Sequence, residues 1–328
     1  MISTRTLRLG AVTAAAVLLA GACAADGDGA ADNKQDAGGA ANASATHKAM
    51  EPVPTKPEDW KDVAQALGRK GKLSGGTAYR TGFPRSDLKV TSKGVTVKAG
   101  LSLGSYAAFA RYGDGTTLAM GDLVVTEQEL PKVTDALQKA GIAQTAVHKH
   151  LLEHSPQVWW THFHAQDKDA TKIARGLRAA LNTTATPPPA APSGEKPDLD
   201  TKAIDQAMGT PGKNDGGIHK FSFARDEKIT DHGKALPPAM GVTTAIGFQA
   251  TGDGKAVING DFAMTADEVQ KVIKALRGGG IDIVELHNHG LNDNPRLFYM
   301  HFWAHDDAVD LARTLNKAVA QTSVTPAG

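Results

Sequence analysis

Hydrophobic and polar positions along this chain follow two rhythms, short runs of period two and longer helical stripes, and the rhythms occur in the same order twice. A helix is predicted from Trp60 to Leu67 with Gly68 as its stop, and another from Thr201 to Met208 with Gly209 as its stop. Glycine suits both ends because it takes the left-handed C-terminal conformation without a steric cost. Short alternating strands follow each helix, punctuated by Asp114-Gly115 and Asp253-Gly254. Thr126 and Thr265 each precede a glutamate by three residues, a capping-box pattern that opens helices at 127–140 and 266–278. Two strands of a hairpin come next, 142–150 with 157–164 and 281–289 with 296–304, their loops carrying Pro156 and Pro295. An amphipathic helix ends each half, at 167–181 and 306–320.

The order is matched residue by residue. With a constant shift of 139, Gly113-Asp114-Gly115 falls on Gly252-Asp253-Gly254, Gly121-Asp122 on Gly260-Asp261, His148 and His150 on His287 and His289, and His162-Phe163 on His301-Phe302. Upstream the shift becomes 140, aligning Phe83 and Arg85 with Phe223 and Arg225. The chain therefore divides into a leader at 1–22, a disordered tether at 23–57, a first unit at 58–181, a Pro-rich linker at 182–197, a second unit at 198–321 and a tail at 322–328. Strand, helix, strand, strand, helix in each unit implies an α+β class: a mainly antiparallel sheet with helices on one face, a ferredoxin-like core with added N-terminal strands.

The leader changes the picture of where such a protein works. Arg5 and Arg8 precede an uncharged stretch from Leu9 to Ala22, which has the layout of a secretion signal and is too short to span a bilayer comfortably. It ends in Leu19-Ala20-Gly21-Ala22-Cys23, which resembles a bacterial lipobox, and Cys23 is the one cysteine among 328 residues. That placement predicts lipid attachment at Cys23 and excludes both an internal disulfide and a multi-cysteine zinc site. The expected location is the extracytoplasmic face of the cell membrane. Charge adds little to this. The chain holds 36 Lys+Arg against 35 Asp+Glu, and loss of Arg5 and Arg8 with the leader leaves 34 against 35. Nucleic acid, which needs a concentrated cationic face, is not an expected partner.

The candidate chemistry lies in the hairpins. Nine of the 12 histidines fall there: His148, His150, His154, His162 and His164 in the first, and His287, His289, His301 and His305 in the second. Residues two apart on a strand share a face, so His148 and His150 project together, as do His162 with His164 and His287 with His289. A register that brings His148 and His162 to one face gathers enough nitrogen for zinc or another transition metal, and a slip of one residue separates them. Histidines that merely pack and hydrogen-bond in a half-buried sheet are the competing reading. The ligand sets of the two units differ at one position, where Trp303 replaces His164.

Carboxylates are a weaker signal. Glu285 shares a face with His287 and His289, Glu153 sits in the first hairpin loop, and either is a candidate general base. Asp122 and Asp261 read mainly as partners for local backbone donors, and Arg85 and Arg225 as structural ion pairs. No nucleophile elbow, phosphate-binding glycine loop or His-Glu-x-x-His helix occurs.

The strings Ala146-Val147-His148-Lys149-His150-Leu151-Leu152-Glu153 and Glu285-Leu286-His287-Asn288-His289, together with Phe83-Pro84-Arg85-Ser86-Asp87-Leu88 and Ala107-Ala108-Phe109, resemble the LppY/LpqO family of actinobacterial lipoproteins. The resemblance spans both units and implies an extracytoplasmic lipoprotein whose domain has no established biochemical role. The leading expectation is a lipid-anchored protein that binds a metal ion, a small ligand or an envelope component through its His-rich hairpins. The alternatives are a metal-assisted hydrolase of the cell envelope and a structural or interaction protein without a metal.

Overall fold

The structure is a computed structural model that describes residues 48–191 and 193–327. The leader, Cys23 and the tether as far as residue 47 lie outside the described residues. Two similar α+β domains make up the rest. In the first, six antiparallel strands run in the order Lys72–Ser74, Ala78–Pro84, Gly104–Arg111, Thr117–Thr126, Val158–Asp167 and Ala143–His148. In the second the order repeats as Lys213–Asp215, Ile218–Arg225, Thr243–Gly252, Lys255–Met264, Phe298–Asp307 and Asp282–His287, and Val324–Pro326 pairs with Ile218–Arg225. Among the described residues, no helix is long and apolar enough to cross a membrane.

Each sheet has one face for helices. Val133 and Leu137 from helix Leu130–Lys139, with Ile173 and Leu177 from helix Ala170–Leu181, pack on Phe109 and Phe163. Val272, Leu276, Leu311 and Leu315 pack on Phe248 and Phe302 in the second domain. Burial of such side chains stabilises by roughly 1.5–3 kcal/mol each. Gly121 and Gly260 sit beneath the rings of Phe163 and Phe302, and a Cβ at either would lie 2.1 Å from the facing strand's carbonyl, at Tyr106 and Ala245. Only glycine allows that approach.

The opposite faces of the two sheets meet. Val124, Val158 and Trp160 of the first domain share a buried cluster with Val257 and Trp303 of the second. Leu118 and Met120 share another with Ala263 and Tyr299. Each hairpin register is fixed by this burial, since a slip would turn the apolar set outward. His162 stands opposite Ala146 and Asp122, and Trp160 stands opposite His148. In the second sheet His301 stands opposite Glu285 and Asp261, and Tyr299 opposite His287. A bulge interrupts both hairpins at equivalent places, between Gln144 and Ala146 and between Ile283 and Glu285.

Several boundaries differ from the sequence expectation. The first of the capped helices starts at Leu130 rather than 127. Thr126 N–H donates to Glu129 Oε2 at 2.9 Å and Glu129 N–H to Thr126 Oγ1 at 3.3 Å, so the capping pair closes a turn ahead of the helix. The last helices start at Ala170 and Ala308 because Asp169 and Asp307 cap them by accepting two backbone N–H bonds each. The end of the expected tether is held against the body: Met50 N–H donates to Gly233 O at 2.9 Å and Val53 N–H to Arg111 O at 2.8 Å. Part of the linker is held too, with Arg69 donating to Pro187 O at 2.6 Å.

Candidate metal centre

The histidines project from the faces where the sheets meet, so those of the two hairpins converge on one place. His148 and His162 share a face with ring centroids 4.7 Å apart, and His287 and His301 are 4.8 Å apart. Across the interface His148 stacks on His287 at 4.0 Å. His150 meets His301 at 3.7 Å, and His162 meets His289 at 3.8 Å. Exchanging the repeats maps one of these pairs onto the other, so the cluster has approximate twofold symmetry. Trp160 backs His150 at 4.3 Å and Tyr299 backs His289 at 3.4 Å, both nearly parallel.

Hydrogen bonds fix which nitrogens are free. His162 Nδ1–H donates to Gly121 O at 3.1 Å and His301 Nδ1–H to Gly260 O at 2.7 Å, which leaves each Nε2 as a lone-pair acceptor. His289 Nδ1–H donates to Gly241 O at 2.8 Å, with its Nε2 3.0 Å from Asp261 Oδ2. His150 Nε2 lies 3.3 Å from Asp122 Oδ2 and 2.9 Å from His148 Nε2. Buried without a hydrogen bond are His148 Nδ1, both nitrogens of His287, Nε2 of His162 and His301, and Oδ1 of Asp122 and Asp261; His289 Nε2 has only the Asp261 carboxylate at 3.0 Å, out of line for a hydrogen bond. Orphaned buried polar atoms are costly and scarce in native folds, and here they concentrate in one spot.

Subsets of these atoms are spaced as a transition-metal ion's ligands would be. Three groups have ligand atoms within 4.8 Å of one another: His148 with His287 and His301, His162 with His287 and His289, and Asp122 with His148 and His150. Imidazole and carboxylate are the donors that zinc and its neighbours take. Protonation favours the same conclusion. Burial first, and neighbouring imidazoles second, hold His148, His150, His162 and His287 below the ordinary histidine range. Burial does the same to His301. Neutral imidazole is the ligating form. Burial and the nearby Asp261 push the Asp122 carboxyl up, a repulsion that a cation between the two would relieve.

The cluster therefore unites His148, His150, His162, His287, His289 and His301. His164 is not part of it: its Nε2 lies 2.7 Å from Asp231 Oδ2 of the other domain, because it sits one pleat further along the strand. His154 is bound up in its own loop, with Nδ1 3.0 Å from Leu151 O and Nε2 3.0 Å from Val158 O. His305 contacts Thr251 Oγ1 at 2.9 Å near the surface. Neither glutamate joins the centre. Glu153 is exposed, and Glu285 accepts the Lys149 backbone N–H at 2.7 Å, tying one hairpin to the other. Arg85 is buried between Asp87 and Glu129, and Arg225 between Glu227 and Glu268, both structural. Asp122 and Asp261 also face the histidines, and Asp122 keeps the backbone donors of Leu123 and Thr161 that its position in the strand suggested. Their recurrence as Gly-Asp in both repeats was the available signal.

A cleft of about 610 Å³ reaches the centre from solvent, and Asp122, His150, His162, Asp261, His289 and His301 line its floor. Fold and site together define a duplicated α+β protein with a metal-competent histidine centre shared between its repeats. The chain belongs to the family described as a domain of unknown function, DUF1259, whose model matches residues 61–183 and again 202–321. No curated protein matches it. Among solved structures it is similar to a double-ringed trimeric shell protein from the RMM microcompartment, at 12% identity over 62% of this chain and 82% of that one, TM-score 0.18. It is also similar to the trimeric bacterial microcompartment shell protein PduB, at 14% identity over 74% and 86%, TM-score 0.17. EtuB from Clostridium kluyveri aligns at 10% identity over 78% and 94%, TM-score 0.18. Similarity at this level bears on neither fold nor function.

Proposed function

We propose that this protein is a lipid-anchored extracytoplasmic lipoprotein that holds zinc or a related transition-metal ion between its two repeats. The observation that carries the metal reading is the set of orphaned imidazole nitrogens and carboxylate oxygens at the domain interface. His148, His287 and His301 are the leading ligand group, with Asp122, His150, His162, His289 and Asp261 around them. A bound ion would supply Lewis acidity; Gly121 O and Gly260 O orient the imidazoles of His162 and His301 toward it. Lipid attachment at Cys23 is supported by the lipobox-like leader and by the resemblance to LppY/LpqO lipoproteins. The ferredoxin-like reading of each core is supported by the strand, helix, strand, strand, helix order, with strand Gly104–Arg111 beside Thr117–Thr126 completing the sheet.

Metal analysis of the chain purified without a His tag tests the central statement. At least one equivalent per chain is expected; a protein that carries none and takes up neither zinc, copper, nickel nor iron overturns it. Cys23→Ser should move the protein out of the membrane fraction, and unchanged fractionation would refute the anchor. The cleft leaves room for a small molecule beside the centre, which favours metal-assisted hydrolysis as a second reading, without Glu153 or Glu285 as base. Ester or phosphoester cleavage by the metal-loaded chain and not by the stripped chain is its test.

A further inference from the structure

The symmetry of the centre is broken in the cleft above it. Tyr106 stands opposite Asp122 on paired strands, while at the same register of the second repeat Ala245 stands opposite Asp261. The first aspartate is the better covered: its side chain is 5% exposed, against 13% for Asp261. Ala245 is itself exposed in the middle of its sheet and lines the cleft with Gly260, while Gly241 beside them is covered by the Tyr106 hydroxyl. Arg80 lines the same cleft. Its guanidinium lies 3.4 Å from the Tyr106 ring centroid, and its Nη1 donates to Ala239 O at 2.7 Å. Those two contacts set the plane of the group, and among the described residues it has no carboxylate in ion-pair contact.

A planar guanidinium fixed at one edge presents its remaining N–H groups as a fork, the geometry that oxyanions accept in pairs. Lys213 lies along the same cleft, as does Lys220, which is paired there with Asp215 at 2.6 Å, so Arg80 and Lys213 are the cations left to face an anion above the histidines and aspartates. We propose that the cleft binds a small molecule bearing a carboxylate or phosphate, its anionic group on Arg80 and its other end toward the metal centre on the open Asp261 side. This assignment rests on the metal reading above. Ligand selection then belongs to a place in the cleft where the repeats have diverged. If Arg80 served only to balance Asp122 and Asp261, added anions would find no site.

Isothermal titration of the metal-loaded full chain in mild detergent, with inorganic phosphate and with malonate as probes, tests the proposal, metal content being measured on the same samples. At least one probe should bind saturably, and the preferred one identifies the anionic group. Arg80→Gln should weaken that binding tenfold or more, and Ala245→Tyr, which gives the second repeat the side chain of the first, should abolish it, both at unchanged metal content. Full metal content with neither probe bound, or with both variants binding as tightly as the parent, overturns the proposal and leaves the metal reading standing. A parent chain devoid of metal sinks that reading instead.

Discussion

The two repeats agree in the histidines and aspartates of the centre and differ at positions around it, of which Tyr106 and Ala245 line the cleft. His148, His150, His162, Asp122 and Gly121 have counterparts in His287, His289, His301, Asp261 and Gly260, and equivalent contacts recur within each set. Tyr106 against Ala245, His164 against Trp303 and Ala146 against Glu285 have no such agreement. Two of the three candidate groups, His148 with His287 and His301 and His162 with His287 and His289, mix the repeats, while Asp122, His148 and His150 all come from the first. Duplication followed by face-to-face packing thus gathers the histidines of both repeats into one cluster, while positions around it differ.

The largest effect expected from this arrangement is in acid. An imidazole held below its ordinary value of 6.5 binds fewer protons in the folded than in the unfolded chain once the pH drops under that value. Stability from His148, His150, His162, His287 and His301 is therefore fully present above about pH 6.5 and is lost as pH falls below it. Asp122 acts with the opposite sign, because its raised folded value keeps a proton that the unfolded carboxyl releases above 3.8. One carboxyl does not offset five imidazoles. The metal-free chain should melt at lower temperature at about pH 5.5 than at about pH 7.5, and bound metal should resist the change. A flat profile would mean that the histidines are solvated.

Single ligand replacements come next. If one centre is shared, His148→Ala and His287→Ala should each strip most of the metal from the whole protein, and mass spectrometry under native conditions should show empty chains. Separate centres in the two repeats would instead leave half the metal in each variant. Sequence reasoning pointed toward the second pattern. It read the repeat and the helix stops at Gly68 and Gly209 from local periodicity and spacing, which the backbone enforces locally, and left the pairing of His148 with His162 conditional on a register that only the packing of the hairpin decides. Contact between His148 and His287 is a matter of how two sheets pack, and no spacing within either hairpin encodes it. The same limit hid the role of Asp122 and Asp261, whose strand neighbours are visible in a sequence but whose facing partners are not.

Buried ion pairs test how far the agreement between repeats extends into their cores. Arg85 donates to Glu129 and Asp87 while its pKa is raised, and Arg225 does the same with Glu268 and Glu227. Burial lowers each arginine's value, and the carboxylate hydrogen bonds outweigh it. Removing one partner leaves the other charge buried, so Arg85→Leu and Arg225→Leu should each cost about 3–5 kcal/mol in urea unfolding. A cost confined to one repeat would show that the other had relaxed to let water reach its glutamate.

The smallest expected effect is at the capping turns, and it separates two origins for the difference in helix starts. Glu129 and Glu268 accept the backbone N–H of Thr126 and Thr265 at 2.9 and 2.8 Å, so the turns are alike although one helix begins at Leu130 and the other at Ala266. Thr126→Ala and Thr265→Ala should then each cost about 1 kcal/mol, the usual value of a lost cap. Pro131 fits the first turn of a helix and cannot donate a backbone bond, which accounts for the later start in the first repeat without a weaker turn. Equal costs would place the divergence in Pro131 alone. A Thr126→Ala cost near zero would instead mean that the first turn is held by Arg85 through Glu129, and its cap is idle.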